Sequence, residues 1–194
     1  MAGTAHDPLN GVENLASGGE RVATLPIRTF GDPVLRERCR EVTRVDDGII
    51  KLVENLADSL PRPGGAGLSA NQIGVPLRVF VYEDEGEVIP CINPRILSAS
   101  EEMEEGMEGC LSLPGISLPV SRHLRVELEY LDLEGKTRRI QAEGWLARVF
   151  QHETDHLDGI LILDRTDRES KAKALRELEG DIVRDVIADI LGGD

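Results

Sequence analysis

The stretch Gln151-His152-Glu153-Thr154-Asp155-His156-Leu157 limits the possible folds more than any other part of the chain. On an α-helix, His152 and His156 lie one turn apart on a single face, so both imidazoles can reach one metal ion while Glu153 stands beside it. Leu146, Val149 and Phe150 lead into the histidines at helical spacing from Trp145, and Gly159 is placed to end the helix. Val149, His152, Glu153 and His156 then share one face, and the expected fold carries this helix in its core.

A catalytic site of the zinc type takes three protein ligands and a water, and the two histidines supply only two. The pattern HExxHxxGxxH is met at Gly159 but has Ile162 where its third histidine belongs. A glutamate from a downstream helix is a second arrangement, for which Glu169, Glu177 and Glu179 are available, although they read more naturally as a charged helix face. Upstream, Glu108-Gly109-Cys110-Leu111-Ser112 offers a thiolate, with Gly109 letting the chain pass close to another group. Taken alone, Cys110 is more readily a small buried core residue.

Length and charge narrow the class. A chain of 194 residues is expected to form one catalytic domain over residues 25–194, preceded by a flexible extension over residues 1–24 with several glycines and little apolar periodicity. With 36 acidic against 22 basic side chains and a net charge of −14, direct DNA binding and attachment to anionic lipid are not expected. No apolar run approaches the roughly 20 residues of a membrane span, and residues 1–24 lack the apolar core of a secretory signal and set Asp7, Glu13 and Glu20 against a single Arg21, unlike an Arg-rich transit peptide. Three cysteines at unrelated spacings, Cys39, Cys91 and Cys110, fit a reducing compartment rather than a disulfide framework. A bacterial cytoplasm is the expected location.

The remaining periodicities predict an α+β fold, with helices packed around a mostly antiparallel sheet. Asp32 and Pro33 open a short helix, and a longer amphipathic one runs from Asp46 to Pro61. Residues 78–82 and 88–93 are short β-type runs, and a hairpin is expected from Leu124 to about Ala142 with its turn near Glu134-Gly135. A capping box, Thr166 to Glu169, opens a C-terminal helix with Leu175, Leu178, Ile182, Val186 and Ile190 on its apolar face.

Three segments in order, GAGLSANQ (Gly65 to Gln72), EGCLS (Glu108 to Ser112) and QHETDHLDG (Gln151 to Gly159), resemble the motifs of the peptide deformylases. The likeness runs from about Pro26 to the C-terminus. One departure is Ser69, where the family pattern GxGLAAxQ has alanine.

The resemblance implies a hydrolase that removes the formyl group from the N-terminal formylmethionine of newly made proteins, releasing formate. It implies Cys110, His152 and His156 as ligands of one divalent ion, Fe²⁺ by family likeness, with Zn²⁺, Ni²⁺ or Co²⁺ also suited to the donor set. It implies Glu153 as acid-base catalyst, with Gln72 and the backbone N–H of Leu111 flanking the reacting carbonyl. Gly65, Ala66, Gly67 and Gly109 would offer backbone to a formyl-Met peptide lying as an added strand, and Trp145 and Val149 are expected as walls for the methionine. Glu108 and Arg122 are candidates for a supporting ion pair, and Arg148 for a place at the substrate entrance. Five basic residues between Arg165 and Arg176 contrast with the acidic chain, and would serve a transient ribosome contact through the C-terminal helix. The rival readings are a zinc endopeptidase and a non-catalytic metal-stabilised binding protein; Ile162 and Cys110 weigh against the first, Glu153 and Gln72 against the second.

Overall fold

A computed structural model describes residues 25–61 and 66–191, with side chains described as far as residue 180. The expected extension over residues 1–24, Gly65, and the side chains of Ile182, Val186 and Ile190 lie outside the described residues. The architecture is α+β. Five strands form one antiparallel sheet in the order β1-β2-β3-β6-β7, namely Gly67–Ser69, Val79–Asp84, Glu87–Ala99, Arg125–Leu131 and Thr137–Glu143. A separate two-stranded ribbon pairs β4, Met103–Cys110, with β5, Leu113–His123.

Strand β2 sets the layering because its first four side chains are all apolar or aromatic and all buried. Val79 and Val81 face one way, into a cluster with Ile49, Leu52, Val53 and Leu56 of helix α1, Asp47–Ser59. Phe80 and Tyr82 face the other, into a cluster with Ala147, Val149 and Phe150 of helix α2, Trp145–Leu157. A strand covered on both faces reads as a continuous apolar run rather than an alternating one. Tyr82 meets Phe150 edge to face at a centroid distance of 4.9 Å, a pairing worth about 0.5–1.5 kcal/mol beyond the area it buries. The outer hairpin β6–β7 forms as expected, and its turn is held by the Asp132 carboxylate, which accepts from the N–H groups of Glu134 and Lys136.

Helix α1 starts where the sequence places it, Asp46 accepting from the N–H groups of Gly48 and Ile49. The C-terminal helix α3, Arg168–Leu191, begins differently from expectation. Asp167, not Thr166, accepts from the N–H groups of Glu169 and Ser170, while the hydroxyl of Thr166 is buried without a hydrogen-bond partner. A carboxylate placed one residue later is the better acceptor for the first turn's free N–H groups and the positive end of the helix. Leu178 and Ala174 of α3 are buried against Leu118 and Val120 of β5, with Leu175 packed at the edge.

The β4–β5 ribbon was not foreseen as a hairpin. Strand β4 is polar and largely exposed, whereas β5 alternates buried and more exposed residues from Ile116 to His123 but contains two prolines, which argue against a strand in the sequence. Its register slips between Gly109, paired with Ser117, and Cys110, paired with Leu113, so the extra residues of β5 bulge around Gly115. That irregularity turns Cys110 toward α2 at the ribbon's closed end.

Helix α2 touches β1, β2, β3, β5, β6 and β7, so its two ends fix much of the fold. It stops in a Schellman arrangement: Ile160 N–H donates to Asp155 O at 2.9 Å and Gly159 N–H to His156 O at 3.1 Å. Gly159 has φ +74°, and a Cβ there would lie 2.6 Å from the carbonyl oxygen of Arg36. Gly159→Ala is therefore expected to destabilise the protein by at least the roughly 1–2 kcal/mol of a left-handed non-glycine residue, with the clash in addition. A melting temperature equal to that of the parent would contradict this account of the helix stop.

Candidate metal centre and active site

The i, i+4 spacing on α2 brings the two imidazoles to a centroid separation of 4.9 Å. Cys110, delivered from the end of β4, places its Sγ 3.2 Å from His156 Nε2. The donor atoms of Cys110, His152 and His156 all lie within 4.8 Å of one another. Tetrahedral coordination at bond lengths of about 2.0–2.3 Å sets donors roughly 3.3–3.8 Å apart, so this set fits a single ion after small adjustment. The Nδ1 of His152 hydrogen-bonds Glu108 Oε2 at 2.9 Å, which leaves Nε2 to face the donor cluster.

That bond belongs to a buried network of charges. Arg122, 5% exposed, donates from Nε and Nη2 to the two oxygens of Glu108 at 2.9 and 3.0 Å, and from Nη1 to Asp155 at 2.5 Å. Arg165 clamps the same Asp155 at 2.5 and 2.9 Å, and Arg148 Nη1 reaches Glu108 Oε1 at 2.9 Å. Burial alone would raise the Glu108 pKa, but hydrogen bonds from His152 and Arg122 outweigh it and hold the carboxyl down at about 2. For His152 burial opposes the charged form, yet bonds to Cys110 and Glu108 prevail and lift it to about 10. An ion at Nε2 would have to displace that proton, so uptake is expected to release protons and to weaken on acidification.

Glu153 is buried beside the donors, and desolvation raises its pKa, a suitable direction for a group that takes and returns a proton near neutrality. Its carboxylate rests against Gly67, where a Cβ would lie 2.7 Å from Oε1. The Ser69 hydroxyl donates to Oε2 at 2.6 Å. Gln72 is held by its own oxygen, which accepts from Ser69 N–H at 3.0 Å. Its Nε2 donates to Ser112 Oγ at 3.1 Å and points toward Cys110 Sγ, 3.7 Å away.

These groups open on a cleft of about 580 Å³. Ala66, Gly67, Gly109, Leu111, Trp145 and Val149 all border it, as does Arg148, so the described residues expected from sequence to meet substrate are brought to one place. Val149 is both cleft wall and core, being 6% exposed and packed with Phe80 and Phe150. Trp145, 58% exposed, stands at the rim rather than inside. Glu169 lies away from the cluster, near the exposed start of α3. Sequence reasoning did not find Asp155, Ser112 or Asn71, whose side-chain amide holds the His156 carbonyl at 2.7 Å. All three are polar residues inside the motif segments, and burial within those segments is the signal that distinguishes them.

A thiol, two imidazoles and a buried carboxylate converging on one cleft define a site of the mononuclear metallohydrolase kind. The sequence profile of the polypeptide deformylase family matches residues 24–172. A peptide deformylase of Acidothermus cellulolyticus is 45% identical over 157 residues, covering 81% of this chain and 87% of that protein. The crystal structure of the peptide deformylase from Thermus thermophilus superposes with a TM-score of 0.75 at 42% identity, covering 82% of this chain and 96% of its own. That of the Synechococcus elongatus enzyme in complex with actinonin gives 0.75 at 36% identity, covering 84% and 93%. This chain belongs to the polypeptide deformylase family.

Two outcomes follow from the charge network. Arg122→Met leaves Glu108 and Asp155 buried with fewer partners and is expected to lower stability by about 3–5 kcal/mol, read by denaturant unfolding. The folded pKa of Glu108, about 2, lies below its ordinary value of 4.5. Its stabilising contribution is therefore complete above pH 4.5 and fades as the pH falls toward 2. Glu108→Gln should remove that part of the acid dependence, and an unaltered acid-unfolding profile would contradict the pairing.

Proposed function

We propose that this protein hydrolyses the formyl group from the N-terminal formylmethionine of newly made proteins, leaving formate and a free N-terminal methionine. The observation that carries the reading is that Cys110, His152, Glu153 and Gln72 line one cleft, with His156 buried against Cys110 as the third donor. The three donors would hold one divalent ion, Fe²⁺ by family likeness, with Zn²⁺, Ni²⁺ and Co²⁺ also matched by a sulfur and two imidazoles. Bound there, such an ion supplies Lewis-acid chemistry, acidifying water and polarising a carbonyl.

The chain's own residues do the rest. Glu153 accepts the proton of the attacking water, and later returns it to the departing amine. Gln72 Nε2 and the Leu111 N–H flank the formyl oxygen, where negative charge develops, and stabilise it more in the transition state than in the substrate. Backbone at Ala66, Gly67 and Gly109 receives the peptide as an added strand, which makes acceptance independent of side-chain sequence beyond methionine. Gly65, outside the described residues, is assigned to the same role. Val149 forms a wall for the methionine and Trp145 its rim. A formyl carbon carries only hydrogen, so a close-fitting cleft excludes larger acyl groups.

The reading extends to a single catalytic unit over residues 25–194 in a bacterial cytoplasm, with residues 1–24 an appendage outside the chemistry. It includes a transient ribosome contact through the basic start of α3, where Arg165 and Lys171 are tied to Asp155 and Asp164. Arg168, Lys173 and Arg176 are the residues assigned to that contact.

Release of formate from a formyl-Met peptide, with no action on casein, separates this activity from that of an endopeptidase. Cys110→Ala is expected to lose metal and activity together, whereas Cys39→Ala and Cys91→Ala, altering cysteines buried in the core, keep both. Glu153→Ala should keep its metal and lose kcat by about 10³ to 10⁴-fold. Gln72→Leu should keep its metal and lose about 10² to 10³-fold, with a smaller change in KM. Near-normal kcat in either, at full metal occupancy, refutes the role given to that residue.

A further inference from the structure

Strand β1 ends in Ser69, the position at which the family pattern carries alanine, and the side chain is fully buried. Its hydroxyl has one proton and two acceptors in reach, Glu153 Oε2 at 2.6 Å and the Glu153 backbone oxygen at 3.2 Å. The charged and nearer oxygen is the stronger acceptor, so the proton is directed at the carboxylate. On the other side of that carboxylate Gly67 leaves no room, since a Cβ there would meet Oε1, Cγ and Cδ of Glu153 at 2.7 to 2.9 Å. The carboxylate is thus confined between two residues of one short strand. With Oε2 engaged, Oε1 is the oxygen left to exchange a proton with water, and no hydrogen bond occupies it among the described residues.

We infer that Ser69 is a positioning residue that fixes the Glu153 carboxylate in the orientation used for proton transfer, an inference that rests on the deformylase reading. The division of labour within Ser69 makes it testable. Its backbone N–H holds Gln72 Oε1 at 3.0 Å, whereas its side chain alone holds Glu153. Removing the hydroxyl leaves the contact of the Ser69 N–H with Gln72 Oε1 and the three candidate ligands in place, and loses the bonds to the carboxylate and the main-chain oxygen of Glu153. An unheld Glu153 samples other rotamers, so fewer encounters find it aligned with the water, while binding of the peptide along the backbone of β1 is unaffected.

The experiment compares wild type and Ser69→Ala as metal-loaded full-length proteins, by steady-state formate release from a formyl-Met peptide, with metal content measured on the same samples. Ser69→Ala is a small truncation that retains the backbone contacts, and its expected signature is a fall in kcat of about tenfold with KM and metal content unchanged. A second comparison is made in a Glu153→Asp background, where the shorter carboxylate no longer reaches Ser69. Adding Ser69→Ala there should change kcat little, because the two residues act as one unit. Wild-type kcat in Ser69→Ala, or a tenfold loss that persists in the Glu153→Asp background, overturns the inference while leaving the deformylase reading intact. A wild-type protein that binds metal and releases no formate overturns both.

Discussion

The buried carboxylate of Glu108 is the point from which the site is built. It lies in β4, accepts two hydrogen bonds from Arg122 of β5 and a third from Arg148 of α2, and pairs with Nδ1 of His152. Two residues further along β4 is Cys110. One anion therefore ties the strand that carries the sulfur to the helix that carries the imidazoles, and sets which nitrogen of His152 faces the ion. An apolar cluster of equal volume could hold these elements together as firmly, because desolvation cancels much of the attraction in a buried ion pair. It could not orient an imidazole. The network is accordingly better explained by direction than by stability, and its polar groups are placed where metal chemistry needs fixed ligands.

Stability comes from the sheet. Strand β2 buries Val79 and Val81 against α1 and Phe80 and Tyr82 against α2, so the helix bearing the histidines is pressed onto a rigid surface along its apolar side. The same helix also buries the polar side chains of Glu153, Asp155 and His156. Such a helix would be untenable alone, and it is tolerated because the β4–β5 ribbon and β1 supply partners for those groups. Gly67 and Gly106 show how close that covering lies: a Cβ at the first would collide with Glu153, and at the second with the guanidinium of Arg148 at 2.9 Å.

Much of this was legible in the sequence, for definite physical reasons. Helix α2, its stop at Gly159, the start of α1 at Asp46 and the β6–β7 hairpin all depend on local signals of period or turn, and appear where those signals place them. The i, i+4 spacing made the pairing of the two imidazoles beside Glu153 legible, whereas Cys110 was reached only through the resemblance of the three motifs. The β4–β5 ribbon was not, since β4 is polar and exposed and two prolines interrupt β5. The spacing of Thr166 and Glu169 predicts a cap that Asp167 supplies instead, because two adjacent acceptors cannot be ranked by spacing alone. The links of Arg122 and Arg165 to Asp155 were equally hidden, because burial of a charge depends on what covers it.

A helix that must be both core and catalyst explains why small residues line the approach to α2. The donors need to approach one another to within ligand distance, and on the proposed function the backbone of β1 must lie close enough for a peptide to pair with it beside Glu153. Both demands shorten the distance between main chain and reacting groups, which leaves space for glycine at Gly67 and no room for a Cβ. Serine at Ser69 then adds a polar atom in a position where the strand already touches the carboxylate, without adding bulk to the cleft. On the proposed function the same short strand would present backbone to the substrate on one edge and holds Glu153 through the Ser69 hydroxyl, so positioning of the peptide and of the proton would be set by a single element rather than by two that must be brought into register.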